Sequence, residues 1–173
     1  MTGVWQALVS RVSHIGDLPE DSPDRKLKKT LLLISGGMMS LAGVFWGALY
    51  LWLEQPLAAM FPLAYSLIAW ASLIFFAKTG QYHFLRLVQL VASLLLPMLM
   101  MVALGGFVQS SAVALWSVTA PIGVLVFASR KAGVFWFFAF VISLVVFGVL
   151  GQVITPDSAK LISPLARTIL FVL

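Results

Sequence analysis

Side chains that could do chemistry are few in this sequence, and their spacing argues against a catalytic centre. The acids are Asp17, Glu20, Asp21, Asp24, Glu54 and Asp157, split between a polar leader and two short connections. No glycine-rich phosphate loop or other nucleotide-binding motif accompanies them. The absence of cysteine removes disulfides, thiolate nucleophiles and zinc–thiolate sites, and His14 and His83 alone do not make an imidazole metal cluster. No catalytic, metal-binding or cofactor-binding residue is therefore assigned, and no cofactor is expected in this chain. Arg167 stands apart, because it lies inside an apolar segment, where a cation tends to have a partner. It is the candidate sensing residue.

The rest of the sequence explains why chemistry is so sparse. Of 173 residues, 61% are hydrophobic and 10% charged. Such a chain is an integral membrane protein, and its apolar runs are long enough to span as helices. The formal charge of +5 does not indicate nucleic acid as a partner, since the basic residues sit mostly at helix ends. The lipid bilayer is the partner that composition names.

Two regions follow. Residues 1–29 form a cytosolic leader: a short amphipathic helix over 4–15, then an acidic turn, then Ser22-Pro23-Asp24 as N-cap, first helical position and first-turn acid, with Arg25, Lys26, Lys28 and Lys29 as a basic pre-helix. Residues 30–173 form an all-α polytopic bundle. Its expected spans are 30–53, 57–77, 84–104, about 110–128, 134–154, and a sixth from Leu161. The sixth has roughly 20 Å of helix before Leu173 against a hydrocarbon core of about 30 Å, and is read as truncated. Arg86 is expected to snorkel to the headgroups, and His83 to lie at the interface.

Two stripes of small residues are the candidate helix-packing surfaces. Gly36, Ser40, Gly43 and Gly47 recur at i, i+4, i+7 and i+11 in the first span, and Ser110, Ala114, Ser117 and Pro121 do so in the fourth. Both are read as contacts within or between protomers, and two such stripes can pack closely. Gly105 and Gly106 end the third span, Ser110 or Ser111 is expected to cap the fourth helix, and Pro121 to kink it.

Orientation follows from charge. With the N-terminus inside, Arg11, Arg25, Lys26, Lys28, Lys29, Lys78, Arg86, Arg130 and Lys131 all lie at the cytoplasmic side, while Lys160 falls in an outer loop. The expected location is a bacterial inner (plasma) membrane.

Two segments, IGDLPEDSPDRKLKKTLLLI over 15–34 and GGFVQSSAVALWSVTAPIGVLVF over 105–127, resemble the N-terminal membrane region of bacterial class III adenylate/guanylate cyclases. The resemblance implies six short-looped helices, a homodimer, and a C-terminal catalytic domain, expected after residue 173, that uses Mg or Mn to make cyclic AMP or cyclic GMP. It carries no catalytic residue onto this chain. The expected function is membrane anchoring and signal reception, with the sixth helix passing the signal to the output domain. The alternatives are the sensor of a histidine kinase or diguanylate cyclase, or a small transporter or channel.

Overall fold

The Ser22-Pro23-Asp24 signal starts the first helix in the computed structural model, which describes residues 15, 21–110 and 112–153. Ser22 is extended, and its Oγ accepts from the Arg25 backbone N–H at 3.3 Å. Proline follows where a helix needs no N–H. Helix α1, Pro23–Trp52, has 30 residues. It is roughly 45 Å long, more than the thickness of a hydrocarbon core.

Pro56 opens α2, Pro56–Thr79, after a connection in which Glu54 is left-handed at φ 56°. Gly80, also left-handed, closes α2 as its N–H bonds the Phe76 carbonyl at 2.8 Å. Helix α3, Tyr82–Ala103, contains Pro97 and ends at the Gly105-Gly106 corner, where φ reaches 87° and 102°. Helix α5, Arg130–Val153, completes the described chain, and α4, Thr119–Phe127, precedes it.

The fourth segment departs from the expected continuous helix. A six-residue 3-10 helix, Val113–Val118, leads into the nine residues of α4. Ser110 does not cap it. The Ser110 hydroxyl donates to the Phe107 carbonyl at 3.1 Å inside the corner, and Ala112, at φ 56°, precedes the 3-10 helix without a side-chain cap. Pro121 falls in the first turn of α4, where the 3-10 helix gives way to α-helix, and not in the middle of a long helix.

Among the described residues four helices, α1, α2, α3 and α5, are long and apolar enough to cross a membrane, whereas Val113–Phe127 is a shorter apolar segment. This all-helical architecture is compatible with a multi-pass membrane protein. The leading amphipathic helix, Ser111, the sixth segment and Arg167 lie outside the described residues.

Packing follows chain order. α1 lies on α2, α2 on α3, and α3 on the 3-10 helix, α4 and α5. Leu32, Leu33, Leu73, Phe76, Tyr82 and Leu85 close the basic end, and Tyr50, Ala58, Ala59, Met100 and Leu104 close the opposite end. Much of the remaining apolar surface faces outward, as on α5, where Phe135 is 70% exposed. Lipid is as apolar as leucine, so close packing and hydrogen bonds must supply the helix association.

Candidate functional site

Close packing is most developed along α1. Gly36, Ser40, Gly43 and Gly47 are all buried. A Cβ on Gly43 would meet the Pro62 carbonyl oxygen at 2.8 Å and crowd the Ser66 hydroxyl, while one on Gly47 would strike the Leu63 side chain. Ser66 Oγ lies 2.7 Å from the Ser40 carbonyl and 2.9 Å from that of Pro62, so its one proton serves two acceptors on adjoining helices. The α1 stripe thus seats α2 at backbone distance.

The other small-residue stripe seats a different pair. Ser117 donates to the Leu94 carbonyl at 2.7 Å, which ties the 3-10 helix to α3. Ser110, Ala114, Ser117 and Pro121 are all buried, yet the innermost row is Ala114, Ser117 and Ala120. A 3-10 helix has three residues per turn, so i and i+3 eclipse. The two stripes face different helices and do not pack on one another.

Between these contacts runs a buried polar chain. Tyr65 Oη donates to Gln89 Oε1 at 3.0 Å, and Gln89 Nε2 donates to Ser72 Oγ at 3.3 Å. Gly36 makes room for the amide, because a Cβ there would lie 3.3 Å from Gln89 Nε2. Gln89 was visible in the sequence as a polar residue near one end of a span, but no local signal joins it to partners 24 and 17 residues away. Gln89→Leu removes both bonds and leaves Ser72 and Tyr65 to find new partners. Interhelical hydrogen bonds in lipid are modest, so a loss of about 1 kcal/mol is expected, read as reduced unfolding free energy in mixed micelles.

At the basic end the chain makes two further polar contacts. Asp21 pairs with Lys29, both side chains only 1% exposed, and also lies 3.2 Å from Arg25 Nε. The Lys29 ammonium sits 6.0 Å from the Phe76 ring centroid. Arg86, half-buried, donates to the Phe127 carbonyl at 3.0 Å, and Tyr82 Oη donates to the same oxygen at 3.2 Å. Two donors on the last carbonyl of α4 complement the negative end of that helix. His83, exposed beside them, lies 3.4 Å from Arg86.

A concavity lies toward the opposite end. A cavity of about 160 Å³ is bounded by Met39, Gly43, Trp46 and Tyr50 of α1 and by Phe61 and Tyr65 of α2. Ser93, Pro97 and Met100 of α3 and Ser110, Trp116 and Thr119 from the fourth segment complete it. Its wall is aromatic and thioether with a few hydroxyls, and none of the residues lining it is charged. Both intrahelical prolines, Pro62 and Pro97, border it. The arrangement suits binding of an uncharged apolar molecule and offers no general acid, base or nucleophile of ordinary kind.

Comparison of the chain with protein-family models, with curated proteins and with solved structures finds no match.

Proposed function

We propose that this chain is the membrane-anchoring and signal-receiving domain of an adenylate or guanylate cyclase. In this reading it has six spans with the N-terminus cytoplasmic in a bacterial inner membrane, works as a homodimer, and drives a C-terminal catalytic domain through its sixth helix. One observation carries the reading. The segment 105–127, which bears much of the resemblance, supplies Ser110, Val113, Trp116 and Thr119 to the wall of the cavity, opposite α1. A segment that forms one wall of a cavity is placed to report its occupancy.

The mechanism is a shift between two helix arrangements. An occupant that favours one spacing of α1 against the 3-10 helix biases the bundle, and a packed bundle passes that bias on as rigid-body movement. The chemistry belongs to the output domain, with Mg or Mn held there. Among the described residues no group of three or more His, Asp or Glu side chains could hold a metal ion, so no step is assigned to one here.

The test uses the full-length gene product in membranes of a bacterial strain that lacks its own adenylate cyclase. Formation of cyclic AMP or cyclic GMP, altered when residues 30–153 are deleted, is the expected result. Failure to make either nucleotide would refute the cyclase output. Production of cyclic di-GMP, or phosphorylation on histidine, would assign the receiver to one of the other output classes.

A further inference from the structure

The cavity wall also constrains what could occupy it. Three of the five hydroxyls around it, those of Thr119, Ser110 and Tyr65, have already placed their protons elsewhere. Thr119 Oγ1 donates to the Trp116 carbonyl at 2.8 Å, Ser110 Oγ to the Phe107 carbonyl at 3.1 Å, and Tyr65 Oη to Gln89 Oε1 at 3.0 Å. These three groups therefore offer a guest lone pairs and no protons.

Pro97 adds a further acceptor. It has no N–H to give to the carbonyl four residues earlier, which is that of Ser93, another residue of the cavity wall. That carbonyl lacks its usual helical donor, and a guest hydroxyl can supply one. Charge is excluded on the same grounds, because the lining holds no ionised group to pair with it.

Size comes from the volume. An engineered apolar cavity of about 150 Å³ accepts benzene, so the 160 Å³ here has room for one ring or a medium-length alkyl chain. Ala42 and Trp116 line the cavity and are exposed, which gives a guest dissolved in lipid a way in from the side.

We propose that the cavity binds a neutral lipophilic alcohol or phenol, its alkyl or single-ring body against Met39, Trp46, Phe61 and Met100 and its hydroxyl donating to the acceptors around Ser93. The proposal rests on the receiver reading for its consequence, since the occupant would be the signal, but binding stands or falls without it.

The experiment photolabels the full-length gene product in lipid nanodiscs with a diazirine-bearing octanol, and maps the modified residues by mass spectrometry. Labelling should saturate, fall on peptides holding Trp46, Met100 and Trp116, and drop about tenfold with excess octan-1-ol, a difference of about 1.4 kcal/mol. Heptyl methyl ether, of similar size but without a donor, should compete poorly. Ala42→Phe, at an exposed rim position, should block labelling, and Ser93→Leu should do so from within. Val44→Phe, on the exposed side of α1, should leave it unchanged. Labelling that fails to saturate, or equal competition by the ether, would overturn the proposal. Saturable, variant-sensitive labelling with cyclic nucleotide output that ignores octanol would uphold the site and refute the receiver reading.

Discussion

Gly43→Leu should abolish the stable bundle, while Gly37→Leu, on the same helix, should leave it intact. The two glycines differ in what a side chain would meet. At Gly43 a Cβ lies 2.8 Å from the Pro62 backbone carbonyl, whereas at Gly37 no heavy atom lies within 4 Å. A backbone oxygen cannot rotate aside as a side chain can. Relief at Gly43 requires α1 and α2 to separate, which would also break the contact of Ser66 with the Ser40 carbonyl and open one wall of the cavity. Overpacking of a core typically costs about 1–3 kcal/mol, and a rigid backbone partner puts this case at the upper end or beyond. Gly37→Leu meets no clash and gains helix propensity of about 1 kcal/mol. Thermal unfolding followed by size-exclusion chromatography in one detergent separates them. Equal midpoints for Gly43→Leu and the parent would remove close α1–α2 packing as the basis of the fold.

The second large effect is expected at the basic end. Asp21→Ala takes the carboxylate away from a Lys29 ammonium that is almost fully buried, 6.0 Å from the Phe76 ring centroid. Removing one partner of a buried ion pair costs about 3–5 kcal/mol, because the other charge keeps its desolvation penalty. Lys29→Met should cost less, since Asp21 still has Arg25 at 3.2 Å and Met can fill the space of the lysine stem. The double variant Asp21→Leu/Lys29→Met should recover much of the loss, as apolar replacement of a whole buried pair often does. A double-mutant cycle on unfolding free energies measures the coupling. Simple additivity would mean that the two side chains do not act as a pair.

Both predictions involve residues whose environment is only partly legible in the sequence. The α1 stripe is visible because Gly36, Ser40, Gly43 and Gly47 repeat at helical spacing, and all four are buried. Its partner is not visible, since Pro62, Leu63 and Ser66 belong to a helix whose apolar residues surround it on every side. The resemblance to cyclase membrane regions and the charge count that orients the chain stand as readings of the sequence, and neither follows from the fold. Lys29 reads as one more cation in a basic pre-helix with Arg25, Lys26 and Lys28. Nothing local distinguishes it, yet it turns inward to Asp21 while Lys28 pairs with Asp24 at 2.8 Å on the surface.

The helices and most of their ends were legible from local chemistry. Ser22-Pro23 and the Gly105-Gly106 pair act within a few residues of themselves, through a cap, a fixed φ or a left-handed turn. In lipid each backbone group must be satisfied inside its own helix, so long apolar runs translate directly into helices. The 3-10 helix, the inward turn of Lys29, the Tyr65–Gln89–Ser72 chain and the cavity arise only where helices distant in sequence cross. Ser117 packs on α3 with three-residue spacing because the short fourth segment must reach Leu94, and no property of its own residues requires this. In a soluble bundle the polar face would have marked the outside. Here lipid and core are equally apolar, so periodicity carries little about which face meets which neighbour, and tertiary packing alone settles it.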